Sequence, residues 1–209
     1  MSSIDLTFVP GAAGHGAFWD PVREHLPSHW QSRSVDLPGL GAVPPRGDVQ
    51  SYLQLVEHVA KGVERRTVLV GQSMGGYVAL ELTLRHPELV SHLVLAVAAG
   101  GVDMARHGTL DWRPKARLEN PARAAWTLEP APDLSQQLHQ IQVPVLLIWA
   151  TRDPVSPLGV AHQLAEQLPN ARLVTIDSDD HWVARTEAPT TARAIREFVL
   201  EGGGSAKGR

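Results

Sequence analysis

The chain has 209 residues, with 19 Lys and Arg against 22 Asp and Glu, a formal net charge of −3, and 43% apolar residues. That length suits one domain with a sizeable core, and the charge balance provides no basic footprint for nucleic acid. The absence of cysteine excludes disulfides, thiolate catalysis and thiolate-bound metal. No apolar run approaches the length of a membrane span. The first residues, Met1-Ser2-Ser3-Ile4-Asp5, lack a basic stretch followed by an apolar one, so a cytoplasmic location is expected. None of the ten histidines falls into zinc-ligand spacing. His25, His29, His58, His92, His139 and His162 stand in polar contexts and read as solvated surface groups.

Apolar runs and helical patterns alternate along the chain. Residues 4–9 form a first strand, followed by the glycine-rich loop Pro10-Gly11-Ala12-Ala13-Gly14-His15-Gly16. Asp20 stands as an N-cap with Pro21 at the first helical position, and Val22 and Leu26 face inward. Residues 32–37 form a short second strand, after which Asp36 fixes the turn at Pro38-Gly39-Leu40-Gly41. In residues 48–63, Tyr52, Val56, Val59 and Val63 recur at amphipathic helical spacing. A strand at 67–70 leads into a helix after Ser73 that ends near Arg85-His86-Pro87.

Residues 93–99 and 145–150 form the fourth and fifth strands. A helix then starts at Ser156-Pro157, with Ser156 as its cap and Val160, Leu164 and Leu168 inward. A sixth strand covers 172–176, and a last helix covers 189–200 with Ile195, Phe198 and Val199 on its core face. Continuously apolar strands separated by helices predict a mostly parallel sheet of about six strands, covered on both faces. Residues 1–200 then form one domain. Residues 100–140 contain no clear strand and read as a cap insertion after the fourth strand, where ligands bind in open α/β sheets. The glycine-rich stretch 201–209 reads as a disordered tail.

The chemistry centres on Gly71-Gln72-Ser73-Met74-Gly75, which ends the third strand and opens a helix. A serine hydroxyl is a weak nucleophile at neutral pH and must be presented both to substrate and to a base. A sharp strand-to-helix turn lifts the side chain clear of the sheet. Glycines flank it because a Cβ at Gly71 or Gly75 would collide with the neighbouring strand or helix. The base needs an orienting group in turn. Asp153 lies on the loop directly after the fifth strand. His181 lies directly after the sixth, and no other histidine follows that strand.

Together with Val35-Asp36-Leu37-Pro38-Gly39-Leu40-Gly41 and Arg85-His86-Pro87-Glu88-Leu89-Val90, these motifs resemble the α/β-hydrolase superfamily, in its small-capped esterase and lactonase-like branch. The resemblance covers residues 4–200 and implies the α/β-hydrolase fold. It implies a triad of Ser73, His181 and Asp153, since the superfamily carries these groups in the order serine, acid, histidine. Asp103, after the fourth strand, is the alternative acid. Backbone N–H groups of Met74 and Ala12 would bind the oxyanion, although many relatives carry His-Gly where this chain has Pro10-Gly11. Asp179 and Asp180 read as solvated.

Trp19, Trp112, Trp126 and Trp182 are candidates for the substrate pocket, with packing of the cap onto the sheet as the competing role. Trp149 belongs to a strand and to the core. Arg113, Lys115 and Arg117 give the cap positive charge without implying an anionic substrate. The resemblance implies hydrolysis of a small carboxylic ester, lactone or thioester with no metal or organic cofactor. The partner would be a small-molecule substrate, not nucleic acid or membrane, and the oligomeric state is left open. The same triad would also serve a C–C bond hydrolase or a hydroxynitrile-lyase-type enzyme, and a non-catalytic receptor on this fold is the third reading.

Overall fold

Six apolar runs become six strands of one sheet in the computed structural model, which describes residues 4–119 and 123–202. They are β1 (Asp5–Val9), β2 (Gln31–Ser34), β3 (Thr67–Gln72), β4 (Val90–Ala96), β5 (Val145–Ala150) and β6 (Ala171–Ile176). Their order is β2-β1-β3-β4-β5-β6, with every pair parallel. Parallel neighbours require crossovers, and helices supply them. Between the strands lie α1 (Asp20–Glu24), α2 (Tyr52–Lys61), α3 (Met74–Arg85), α4 (Arg113–Glu119) and α5 (Leu158–Gln167), and after the last strand come α6 (Val183–Thr186) and α7 (Ala188–Gly202).

Alternation along the strands divides the core into two layers. Leu69, Leu93, Leu95, Val145 and Leu147 pack against α2, α3 and α5 on one face. Leu6, Phe8, Val68, Val94 and Ile148 pack against α1 and α7 on the other. The inward residues expected on α2, Tyr52, Val56 and Val59, are buried, as are Val160 and Leu164 on α5 and Ile195, Phe198 and Val199 on α7. Helix α2 begins only at Tyr52, where the Ser51 side chain accepts the N–H of Gln54 at 3.2 Å. This is the α/β-hydrolase fold, as expected.

Local differences from the sequence reading have local causes. Strand β4 ends at Ala96, not at residue 99, because Val97 turns out of the sheet with φ 41°. Strand β2 ends at Ser34, since the chain beyond it turns to the glycine-rich loop, where Leu37 N–H donates to Gly14 O at 2.8 Å. Asp36 serves that loop too, accepting the Gly16 N–H at 2.7 Å, instead of fixing the turn that follows it. Asp20 is inside α1, with Trp19 at the cap position. Helix α7 runs through Gly202, so the expected tail does not begin at 201, and residues 203–209 lie outside the described residues.

His92, expected on the surface, is half-buried on β4, with its ring against the edge of Phe198 at 5.5 Å. Its Nε2 is buried with no partner among the described residues. Burial first, and then the charge of Arg66, lowers its pKa below the ordinary histidine value. Above the ordinary value both folded and unfolded chains leave this ring neutral. As the pH falls below it, the unfolded chain takes up the proton first, so stability is lost until the folded pKa is passed. We predict that the thermal midpoint of the wild type falls between about pH 7 and about pH 5. His92→Leu should fall measurably less over the same range, in melts followed by circular dichroism. Identical slopes for the two proteins would refute this.

Candidate active site

Ser73 joins β3 to α3 with φ 53° and ψ −123°, a region that a side-chain-bearing residue seldom adopts. Such a conformation costs on the order of 1–3 kcal/mol and persists only where its surroundings hold it. Here Ser73 N–H donates to Ala96 O at 3.1 Å, and Ser73 O accepts the N–H groups of Gly76 and Ala99, each at 2.9 Å. The flanking glycines are required for the reason expected. A Cβ at Gly71 would overlap the backbone of Gly75, and one at Gly75 would overlap the carbonyls of Val9 and Pro10. Gly76 is equally constrained, facing Ala98.

The structure brings the three separated polar residues together. His181 Nε2 lies 2.9 Å from Ser73 Oγ, and His181 Nδ1 lies 2.6 Å from Asp153 Oδ2. Asp153 is 2% exposed. Its Oδ1 accepts the N–H groups of Val155 at 2.8 Å and Ser156 at 3.1 Å, so the buried carboxylate is held from both sides. Asp103 is exposed and accepts the N–H of Ala105; it borders the larger cavity described below, but it is Asp153 and not Asp103 that the structure pairs with His181. Asp180 holds the turn behind His181, with Oδ1 accepting the Trp182 N–H at 2.8 Å and Oδ2 the Thr186 hydroxyl at 2.8 Å. Gln72 was not anticipated. Buried at the end of β3, it donates Nε2 to the His181 carbonyl at 3.1 Å, tying the serine turn to the histidine loop.

Met74 opens α3, so its N–H is among the amides a helix cannot pair internally. The Gly11–Ala12 segment passes directly over the serine, since a Cβ at Gly11 would overlap Ser73 Cβ. That loop is closed by Gly14 N–H to Gly11 O at 3.0 Å, which leaves the Ala12 N–H unused by the turn. Two cavities flank Ser73. One of about 170 Å³ is bounded by Ala12, Phe18, His181 and Trp182. The other, of about 400 Å³, runs beneath the segment between β4 and β5, past Tyr52, Met74, Val102, Met104 and Arg113. Ser73, Trp112 and Val155 border both.

Of the four tryptophans, Trp112 and Trp182 line these spaces. Trp19 does not. It is wholly buried against Phe8 and Phe18, because the 3₁₀ turn Gly16–Trp19 places Phe18 at the cavity and Trp19 in the core. Trp126 stands one layer back, edge-on to Tyr52 at 5.4 Å, and Tyr52 takes the cavity wall in its place. Ser156 is no helix cap; its hydroxyl donates to Ala98 O at 2.6 Å. Among the described residues no three His, Asp or Glu side chains gather into a metal-ligand set.

A family model described as "Alpha/beta hydrolase family" matches residues 8–138, more than half of the chain, and one described as "TAP-like protein" matches residues 114–209. The chain belongs to the alpha/beta hydrolase family. It is similar to a pimeloyl-acyl-carrier-protein methyl ester esterase of Nitrosomonas europaea, 29% identical over 85% of this chain and 88% of that protein. A thermophilic esterase from Thermogutta terrifontis has the same fold, with TM-score 0.79 and 20% identity over 96% of this chain and 91% of that one. So does a meta-cleavage product hydrolase from Pseudomonas fluorescens, with TM-score 0.75 and 20% identity over 96% and 92%.

Ser156 fastens the loop that carries Asp153 to the chain leaving β4. Ser156→Ala would leave the buried Ala98 carbonyl without its donor, at a cost of about 1–3 kcal/mol. Urea unfolding of the variant should show a lowered midpoint at unchanged slope. A midpoint equal to wild type would show that the bond contributes nothing.

Proposed function

We propose that the chain is a serine esterase for a small carboxylic ester, lactone or thioester, with Ser73 as nucleophile, His181 as general base and Asp153 as the group orienting the imidazole. The observation that carries this reading is the unbroken path of 2.6 and 2.9 Å contacts from Asp153 through His181 to Ser73. Ser73 Oγ attacks the carbonyl carbon as its proton passes to His181 Nε2. The resulting oxyanion takes hydrogen bonds from the N–H groups of Ala12 and Met74. Collapse expels the alcohol, which leaves with the proton from His181. Water, deprotonated by the same nitrogen, then attacks the acyl-enzyme, and Ser73 leaves with its proton restored.

The unequal cavities support a division of the substrate. The larger lies within the volume range of small-ligand pockets and would take the acyl chain beneath the segment between β4 and β5, which acts as the cap. The smaller would take a compact alcohol beside Phe18 and Trp182. The name of the Nitrosomonas relative, a methyl ester esterase, agrees with a small leaving group. The likeness to the meta-cleavage hydrolase concerns the fold alone and does not favour C–C bond cleavage.

We predict that Ser73→Ala lowers kcat/KM on p-nitrophenyl butyrate and on methyl esters of medium-chain acids by at least about 10³-fold. Asp153→Asn should lose about 10²–10⁴-fold while Asp103→Asn stays near wild type. Equal turnover by wild type and Ser73→Ala would defeat the esterase assignment. Loss in Asp103→Asn with an active Asp153→Asn would reassign the acid.

A further inference from the structure

One side chain of the covering segment reaches the loop that passes over Ser73. Arg123 donates Nη2 to the carbonyl oxygen of Ala12 at 2.5 Å. Its guanidinium also lies over the Trp112 ring, 5.2 Å from the centroid. The arrangement is costly. Its Nε is buried with no partner among the described residues, and burial holds the guanidinium below the usual arginine value, with Tyr52 as the one countering group. An arginine needed only to cover apolar surface would keep its head in water. This one turns inward, to a backbone carbonyl.

The remainder of the loop is fastened to the body of the protein. Gly14 O accepts from Leu37, Gly16 N–H donates to Asp36, and Gly14 N–H closes the turn onto Gly11. Residue 12 sits at the open side of that turn, and among the described residues Arg123 is the partner its carbonyl has. The turn bond from Gly14 to the Gly11 carbonyl orients the Gly11–Ala12 peptide, whose N–H the esterase reading assigns to the oxyanion, and the Arg123 bond holds the adjoining Ala12–Ala13 peptide, so that the outer side of the same turn is fixed against movement away from Ser73. We propose that Arg123 is a positioning residue that anchors the Gly11–Gly14 turn, and the Ala12 N–H it carries, over Ser73 for oxyanion binding, so that the hole is held in place only when the covering segment is seated. This inference rests on the esterase reading above. It adds a requirement to that reading: closure over the substrate and readiness to stabilise the tetrahedral intermediate are one event, joined through a guanidinium.

The test compares wild type with Arg123→Met and Arg123→Lys in p-nitrophenyl butyrate turnover, thermal melting and inhibition by an alkyl trifluoromethyl ketone. Such a ketone adds Ser73 Oγ to give a bound tetrahedral oxyanion. A misdirected donor loses part of the contribution of a donor removed outright, so Arg123→Met should lower kcat about tenfold and raise the ketone Ki by the same factor, with KM within about twofold. Added methylguanidinium should restore part of both. Arg123→Lys, whose ammonium cannot both donate to Ala12 and lie flat on Trp112, should show the same paired loss at about threefold or more. It carries the test if the methionine variant does not fold. A raised KM or a lowered melting point with kcat and ketone affinity unchanged would assign Arg123 to packing and overturn the inference. Fluorophosphonate labelling separates the two levels. Labelled, active wild type with unaltered Arg123 variants overturns this inference alone, whereas wild type that neither labels nor turns over overturns the esterase reading and this inference with it.

Discussion

The backbone at Ser73 occupies a strained region that the local sequence would not choose, and the fold around it is arranged so that no alternative is available. The turn is clamped by three backbone hydrogen bonds and by glycines with no room for a Cβ. A second strained residue, Val97 with φ 41°, sits directly behind it at the end of β4. The two depend on each other. Val97 bends the chain so that Ala98 meets Gly76 and Ala99 N–H reaches Ser73 O, while Val97 N–H itself is held by Ile148 O at 2.9 Å. A β-branched residue in that conformation is an outlier, so the packing of β3, β4 and β5 must supply what both turns cost.

The same edge of the sheet carries the electrostatic counterpart. Asp153 would be expensive as a buried lone charge. Its two oxygens receive two backbone N–H groups and the imidazole, so the carboxylate is kept by hydrogen bonds and not by a cation. Those N–H donors come from the loop that Ser156 fastens to Ala98, the same residue that faces Gly76. The Ser73 turn, the Asp153 loop and the His181 loop therefore share one support, and Gln72 adds the remaining tie to His181. Under the esterase reading, preorganisation of this kind would need no side chain to move before a proton does.

Much of this was legible in the sequence because it follows from local rules. Strands with continuous apolar character, a serine between glycines, and polar residues at strand ends announce a parallel sheet and what it holds at its carboxyl edge. What escaped depends on neighbours far along the chain. Nothing near Trp19 says that a 3₁₀ turn will send Phe18 to the cavity and the indole to the core. Asp103 and Asp153 both follow strands, and only the three-dimensional path of the loops selects which lies beside His181. Ser156 has the look of a helix cap in Ser-Pro, yet its hydroxyl turns to Ala98, 58 residues away. Arg123 carries no signal at all, since one basic residue among several in a cap is distinguished only by the carbonyl it meets.

The distribution of burial separates chemistry from selectivity. The groups that would move protons rest on β3, β5 and β6, elements locked into a two-layer core. The covering segment contributes few buried anchors, among them Val102, Trp126, Leu134 and Leu138, and α4 has none. Regions so weakly packed open at lower free energy than the sheet beneath them. Trp112 stands at the boundary, bordering both cavities and flanked by the guanidinium groups of Arg113 and Arg123. A change there alters the shape of both cavities without touching the strained turn, so under the esterase reading selectivity could drift while the Ser73 turn stays fixed. The physical asymmetry lies in what each part must hold: the sheet holds strain and a buried charge, and the cover holds only shape.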